Sequence, residues 1–310
     1  MLKTEFTKYG QKNLKGKPRY LKAKIPKGGN YTSVKKSLRE KNLFTVCEEA
    51  KCPNLGECWD AKTATMMILG DTCTRACKFC NVKTGNPKGW IDLEEPKKAS
   101  EMVAMMGLKY LVVTSVDRDD LADYGAGHFA SVVNQIAVSH PDVKVEVLIP
   151  DFAVVEDHMH TLAKSKPFVI AQNLETVRRL THPVRDRRAG YEKTLSALKF
   201  YKENYPDIAT KTSLMVGLGE TKEELVEAMM DLHNVGVNII TFGQYLRPTM
   251  AHLEVQRYYE EEEFVHLKKI AYDIGFEFVA SGPMVRSSYK AADYLDFLNE
   301  KLGTEKNWKN

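Results

Sequence analysis

Six cysteines are all that this chain of 310 residues contains, and they fall into two triplets within 34 positions: Cys47, Cys52 and Cys58, then Cys73, Cys77 and Cys80. The second triplet has C-x3-C-x2-C spacing within Gly70-Asp71-Thr72-Cys73-Thr74-Arg75-Ala76-Cys77-Lys78-Phe79-Cys80. Three closely spaced thiolates can hold three corners of a cubic iron–sulfur cluster, leaving a fourth iron open to an exogenous ligand. Competing readings fit worse. Disulfides need an oxidising compartment, and Met1-Leu2-Lys3-Thr4-Glu5-Phe6-Thr7-Lys8 lacks the apolar segment of a secretion signal. A structural zinc site usually shows C-x2-C pairs and four ligands; neither triplet has a fourth Cys or His nearby, the closest being His128. Isolated core cysteines would not gather in this way and leave none elsewhere. The second triplet therefore reads as one cluster site and the first as another.

At 43% hydrophobic residues, the chain is long enough to bury a full core, and α/β barrels of this length are commonly one domain. No apolar run approaches the ~20 residues needed to cross a bilayer, so a soluble, cytoplasmic protein without membrane contact is expected. The net charge of +4 is unevenly spread. Residues 1–41 carry 13 Lys and Arg against only Glu5 and Glu40, a net +11 that leaves −7 for the rest. Such a basic arm reads either as a solvated terminus or as a surface that steers an acidic partner. Nucleic acid is not expected, because no aromatic interleaving or known motif accompanies the lysines.

From residue 64 onward, short β-branched runs alternate with amphipathic segments. Strands are expected at Met66–Gly70, Tyr110–Ser115, Val143–Ile149, Phe168–Gln172, Thr212–Gly217 and Asn238–Gly243, with one more extended piece at Phe276–Ala280. Helices are expected at Pro96–Met106, His128–Ser139, Val155–Ala163, Tyr191–Tyr201 and Glu261–Asp273, with another starting near Tyr289. Thr221 to Asn234 carries the fullest helix signal: Thr221 as cap, Glu223 and Glu224 in the first turn, Gly236 beyond the end. Repeated strand–helix units imply a parallel sheet. Six units are too few for a closed eight-unit barrel, so a partial (β/α)6 TIM-like barrel is the first expectation and an open doubly wound sheet the second. Either fold places ligands at the carboxyl ends of the strands, where the second triplet falls.

The second triplet resembles the signature of radical S-adenosylmethionine (SAM) enzymes, whose usual fold is the partial barrel. Thr45-Val46-Cys47-Glu48-Glu49-Ala50-Lys51-Cys52-Pro53-Asn54-Leu55-Gly56-Glu57-Cys58-Trp59 further resembles the N-terminal cluster motif of the lipoyl synthase family. Thr114-Ser115-Val116-Asp117-Arg118-Asp119-Asp120-Leu121, Met215-Val216-Gly217-Leu218-Gly219-Glu220-Thr221, Gly243-Gln244-Tyr245-Leu246 and Arg286-Ser287-Ser288-Tyr289 extend the match over roughly residues 40 to 292.

The resemblance implies four regions: a basic arm over 1–41, a cluster-binding extension over 42–63, the barrel over 64–282, and a C-terminal extension over 283–310 carrying Arg-Ser-Ser-Tyr. It implies two [4Fe–4S] clusters. Cys73, Cys77 and Cys80 would hold the one that passes an electron to SAM. Cys47, Cys52 and Cys58 with Ser288 would hold an auxiliary cluster that is consumed as the sulfur source, serine being a hard and weak iron ligand beside thiolate. The implied reaction inserts two sulfur atoms, at C6 and C8, into an octanoyl chain on a lipoyl-carrier protein domain. Implied partners are those octanoylated domains, a low-potential electron donor and an iron–sulfur cluster carrier protein.

Contacts to SAM are expected from Phe79, from Thr114 and Ser115, from Asn173 and Glu175, and from Gly217, Gly219 and Glu220. Each of these has an ordinary packing or turn role as the competing reading. Some of Arg178, Arg179, Arg185, Arg187 and Arg188 could hold a carboxylate. Three positions depart from the family's usual pattern: Gln172 stands for a His, Tyr124 for a Gly, and Glu260-Glu261-Glu262-Glu263 for a segment containing Pro. The alternative functions are another radical SAM enzyme with an auxiliary cluster, acting on a small molecule or peptide, and a non-enzymatic iron–sulfur carrier or sensor.

Overall fold

The computed structural model describes residues 18–21, 44–45, 54, 65–289 and 291–301. Cys47, Cys52 and Cys58, and most of the basic arm, lie outside the described residues. Strand β1 (Phe44–Thr45) runs antiparallel to β2 (Thr65–Ile68) at one edge of the main sheet. After a small parallel pair, β3 (Thr72–Cys73) with β4 (Lys83–Thr84), the chain alternates strand and helix. In order come α1 (Glu95–Met106), β5 (Tyr110–Ser115), α2 (Ala126–Ser139), β6 (Lys144–Leu148), α3 (Glu156–Ala163) and β7 (Val169–Ala171). A short α4 (Thr181–Val184) and α5 (Tyr191–Asn204) lead to β8 (Ala209–Val216), α6 (Lys222–Asn234), β9 (Ile239–Gln244), α7 (Glu261–Ile274), β10 (Phe278–Gly282) and α8 (Asp293–Lys301).

The eight-stranded sheet has the order β1-β2-β5-β6-β7-β8-β9-β10, and every pair after β1 is parallel. No pairing joins β10 back to β1 or β2 among the described residues, so the barrel is partial, as expected. The extended piece after the sixth unit becomes a seventh parallel strand. The last helix begins at Asp293 instead of near Tyr289, because Tyr289 N donates to Arg286 O in a turn before it. The basic arm also differs from a solvated terminus at residues 18–21: Leu21 is fully buried, and the Tyr20 hydroxyl donates to Tyr259 O at 2.9 Å.

Side-chain alternation sorts each strand into two faces. Leu111, Val113 and Ile170 pack outward against α1, α2 and α3 in one core, while Ile240 and Phe242 join α6 and α7 in a second. The inner face carries Tyr110, Val112, Val169 and Ile239, and α8 lies against it. Tyr294 meets Phe168 and Phe278 with ring centroids 6.1 and 5.7 Å apart, and Phe297 meets Phe278 at 5.6 Å. Tyr110, Val169, Ile239 and Phe278 are each the first residue of their strand, so α8 closes the amino-terminal end of the barrel.

Two of the positions expected to be unusual sit at definite backbone features. Tyr124 has φ +54°, a left-handed backbone that favours glycine and costs a tyrosine on the order of 1 kcal/mol. At the start of α7, the Glu263 carboxylate accepts from Glu260 N at 3.1 Å, and three acidic residues occupy the first turn, where the helix dipole favours them.

Inside the lumen, Lys211 Nζ lies 2.7 Å from Glu146 Oε1, and the Tyr110 hydroxyl donates to Glu146 Oε2 at 2.7 Å. Glu146 is 1% exposed and Lys211 4%. Removing one partner of such a pair leaves a buried charge uncompensated. Lys211→Met should therefore lower stability by about 3–5 kcal/mol in equilibrium urea unfolding. Adding Glu146→Gln, which keeps an acceptor for Tyr110, should recover most of the loss; a double variant no more stable than the single one would contradict this account.

Candidate functional site

The loop after β2 carries Cys73, Cys77 and Cys80, and the neighbouring strand ends hold it in place. Thr74 N donates to Asp117 O at 3.0 Å beyond β5, and Lys78 N to Val184 O at 2.9 Å at the end of α4. Ala76 N donates to Asp186 Oδ2 at 2.9 Å, while a His252 ring nitrogen lies 3.0 Å from Cys80 O. Arg75 sits between the first two cysteines, is 5% exposed, and is surrounded by carboxylates. Its Nη1 and Nη2 each lie 2.8 Å from Asp151 oxygens at the end of β6. Its Nε and Nη2 reach Asp119 at 3.1 and 2.9 Å, and Asp117 is 3.3 Å away. Such paired geometry, available to a planar guanidinium, ties the cysteine loop to β5 and β6.

Burial pushes the Cys73 thiol up to about 12 and Cys77 up to about 11, and raises Cys80 as well. The same pocket offers compensation for charged sulfur. Arg75 N and Asp117 N lie 3.4 and 3.3 Å from Cys73 Sγ, and Asp186 N lies 3.3 Å from Cys77 Sγ. Amides aimed at sulfur, in a site where the thiols would otherwise stay protonated, suit a positively charged metal group that draws off their protons. No three His, Cys, Asp or Glu side chains among the described residues are arranged about a single metal ion. A cluster that gives each thiolate its own iron fits the loop better.

All three thiols line a cavity of about 470 Å³ at the carboxyl ends of the strands. Of the residues expected to contact SAM, Phe79, Thr114, Ser115, Asn173 and Glu175 line it too. Phe79 also packs on the second core, and the Thr114 hydroxyl is already donated to Leu148 O at 2.9 Å. Asn173 Nδ2 donates to Glu175 Oε1 at 3.0 Å, and burial raises the Glu175 carboxyl. Ser115 Oγ, Asn173 Oδ1 and Gln172 Oε1 are buried without a hydrogen-bond partner. Of the five arginines, Arg185 lines the cavity, with its Nε unpartnered. Arg178 and Arg179 instead make surface ion pairs with Asp231 and Glu224, and Arg188 pairs with Asp186.

Gly217, Gly219 and Glu220 depart from expectation: they do not line the cavity. Glu220 turns its carboxylate back onto Gly217 N and Leu218 N, at 2.6 and 2.9 Å. Gly217 has φ +101°, and a Cβ there would lie 2.2 Å from Gln244 Nε2. These residues are used up in a tight turn that packs β8 against β9. Arg75, Asp151 and Arg247 were not legible as site residues. A charge inside a cysteine loop looks solvent-facing in sequence until the strand ends supply its partners.

Arg286, Ser287 and Ser288 line the same cavity as the thiols. Asn54, between Cys52 and Cys58 in the chain, donates from Nδ2 to Met284 O at 2.6 Å.

Arg75 holds the Asp151 carboxyl below the usual carboxylate range, against the opposing effect of burial. A depressed folded-state pKa contributes stability that is full above the unfolded value, ~3.9, and is lost as pH falls through the folded one. Arg75→Ala should cost about 3–5 kcal/mol near neutrality, with Arg75→Lys in between. It should also flatten or reverse the Asp151 part of the acid limb, because without the guanidinium burial raises that carboxyl and its protonation then relieves an unpaired buried charge, so the variant's deficit shrinks as pH falls. Urea midpoints measured between about pH 6 and 3 check both; an unchanged acid limb would show that Arg75 is not what holds Asp151 ionised.

Comparison with known proteins agrees with this geometry. The radical SAM superfamily matches residues 67–232, and the N-terminal domain of lipoyl synthase of the radical SAM family matches residues 3–52. Lipoyl synthase from Marinobacter nauticus is 55% identical over 285 residues, 92% of this chain and 82% of its own length. That of Francisella tularensis subsp. novicida is 54% identical over 275 residues, 89% and 84% of the two chains. In fold alone, the chain resembles methylornithine synthase (TM-score 0.52, 11% identity, 93% and 92% covered). It likewise resembles HydG, a maturase of the [FeFe]-hydrogenase (TM-score 0.55, 15% identity, 88% and 78% covered). With more than half of the aligned positions identical to each lipoyl synthase across about nine-tenths of this chain, and with the cysteine loop at the mouth of a partial barrel, the chain belongs to the lipoyl synthase family of the radical SAM superfamily.

Proposed function

We propose that this enzyme inserts two sulfur atoms, at C6 and C8, into an octanoyl chain attached to a lipoyl-carrier domain. The observation that carries the reading is one cavity lined both by Cys73, Cys77 and Cys80 and by Ser287 and Ser288. When bound, a [4Fe–4S] cluster on the three cysteines would supply the electron for reductive cleavage of SAM, and a second cluster on Cys47, Cys52, Cys58 and Ser288 would be the sulfur-donating substrate. The hydrogen bond from Asn54 to Met284 supports a shared site for the first triplet and Ser288, since it joins the two segments that carry them.

The chain's own residues orient and shield. Ser115 Oγ, Gln172 Oε1 and Asn173 Oδ1, with Arg185 Nε and Arg247 Nε, are the buried cavity-lining atoms with capacity left for the amino, carboxylate and ribose groups of SAM. Arg185, whose Nη1 is held by Leu174 O and Thr194 Oγ1, keeps a positive charge beside Glu175 and the thiols. Met67, Leu148 and Met215 give the same cavity an apolar wall against which a fatty acyl chain can exclude water. Octanoylated carrier domains, a low-potential electron donor and an iron–sulfur carrier protein complete the cycle. No described helix is long and apolar enough to cross a membrane.

Anaerobically reconstituted protein should hold about eight irons, and the Cys73, Cys77 and Cys80 triple Ala variant about four. Replacing Cys47, Cys52 and Cys58 should leave reductive SAM cleavage to 5′-deoxyadenosine intact and abolish sulfur insertion. Stoichiometric zinc without iron–sulfur absorbance, or lipoyl product from the first-triplet variant, would overturn the assignment.

The basic arm is proposed to steer the carrier domain. Because Tyr20 and Leu21 pack on the barrel, charge replacement tests this more cleanly than truncation. Lys3, Lys8, Lys12 and Lys15 changed to Gln should raise KM for the octanoylated domain a few-fold at low ionic strength, with the difference fading by a few hundred millimolar salt. An unchanged KM at low salt rules out steering.

A further inference from the structure

The segment between β10 and α8 must leave the top of the barrel, pass the cavity and reach the floor within about ten residues. Its upper part lies directly on β9. A Cβ built on Gly243 would sit 2.0 Å from Val285 O, 3.0 Å from Val285 C and 3.3 Å from Arg286 Nη1. Gly243 pairs in regular register with Met215 and Gly282, and its φ is not in the left-handed region. Its backbone would thus accept any residue, and only the space above it demands glycine. Val285 N donates to Gly282 O at 3.1 Å, and Met284 O accepts from Asn54, so the segment is pinned just before Arg286.

Its lower part is pinned as well. Ala291, three residues after Ser288, is buried against Tyr110 and Val112, and Leu295 of α8 joins the same cluster. Tyr294 is buried with Val169 and Ile239. Ser287 and Ser288 therefore span a short bridge between two rigid anchors, both of them on the inner face of the sheet.

We propose that Gly243 and the floor helix α8 act together as the positioning device for Ser287 and Ser288, holding the serine loop at a fixed height in the cavity it shares with the cysteine loop. Gly243 makes room for the loop's backbone, and Leu295 and Tyr294 keep the chain from sliding toward the mouth. The functional consequence rests on the reading of Ser288 as a ligand of the sulfur-donating cluster. The seating itself is a property of the fold.

The test uses the full-length, anaerobically reconstituted protein and three variants: Gly243→Ala, Leu295→Ala and, as reference, Ser288→Ala. Hydrogen–deuterium exchange follows the peptide spanning residues 283–292, and product is counted per 5′-deoxyadenosine released. Relief of a 2.0 Å contact needs a shift of over an ångström, and misplacement of that size costs on the order of 10²-fold. Gly243→Ala should accordingly lower the product ratio about a hundredfold and speed exchange in 283–292, with peptides from β5 and β8 unchanged. Leu295→Ala, at the far end of the lumen, should speed the same exchange and lower the ratio several-fold while the rate of SAM cleavage stays as in the parent. Parent-like exchange in 283–292 for both variants overturns the seating. Should Ser288→Ala keep the parent product ratio, the ligand reading fails instead, and the exchange results still decide the seating by themselves.

Discussion

The Arg75 guanidinium, buried among Asp117, Asp119 and Asp151, is the interaction on which the geometry of the site depends. A cysteine loop with only backbone contacts would drift by the ångström that separates a useful electron-transfer geometry from a poor one. Arg75 prevents that by joining three separate pieces of chain: the loop itself, the end of β5 and the end of β6. Burying so many charges is costly unless each is paired, and here each added carboxylate shares one planar donor fork. Asp117 shows the limit of the arrangement. Its carboxyl is raised by burial despite the nearby Arg75, and it lies 3.7 Å from Cys73 Sγ. Charge at the sulfur is thus met by the amide donors and opposed by the nearby Asp117 carboxylate.

A partial barrel exposes two sheet edges and an open floor, which the terminal segments cover. β1 adds one antiparallel strand to β2, Asn54 reaches across to Met284, and α8 fills the amino-terminal end of the lumen with aromatic side chains. Between that floor and the cavity lies the Lys211–Glu146–Tyr110 group, a polar layer fully enclosed by the sheet. Such a layer adds little net stability over an apolar one, but it fixes registers that an apolar lumen would leave interchangeable. Rigid floor, polar middle and open mouth follow one another along the barrel axis, and the two reactive loops are anchored to different levels of that stack.

The strand–helix alternation was legible because each strand is a short β-branched run and each helix carries an apolar stripe. Tyr110–Ser115 matched at both ends, and Thr221 forms the full capping box that its sequence announces. Boundaries slipped where tertiary contact overrides local preference. β8 starts at Ala209, three residues earlier than its apolar run, because Thr210 donates to Asn238 Oδ1 and is drawn into the sheet. Within the site, the cysteine spacing and the Arg-Ser-Ser-Tyr resemblance pointed to two loops that line one cavity. The glycine motif Gly217-Leu218-Gly219-Glu220 forms the turn after β8, where close backbone approach to a ligand and close approach to another strand make the same demand on sequence. Arg75 and Asp151 stayed hidden because a long-range ion pair leaves no periodic trace.

The distribution of hydrogen bonds divides the molecule into a part that stabilises and a part that binds. Away from the cavity, the Asn238 side chain is fully engaged: its Nδ2 donates to Glu277 Oε2, and its Oδ1 accepts from Lys202 Nζ, Thr210 N and Thr210 Oγ1. On the cavity wall, Ser115, Gln172, Asn173, Arg185 and Arg247 each keep a buried atom with no protein partner. Each such atom costs the fold about 1–3 kcal/mol unless water or ligand meets it. A chain selected for stability alone would have lost them. Five of the nine buried unpartnered side-chain atoms among the described residues line this one cavity, which marks where the scaffold gives up stability so that a polar cofactor gains its orientation when it binds. Gln172 is one of the five: its amide offers an acceptor to the cavity without a charge that titrates near neutrality.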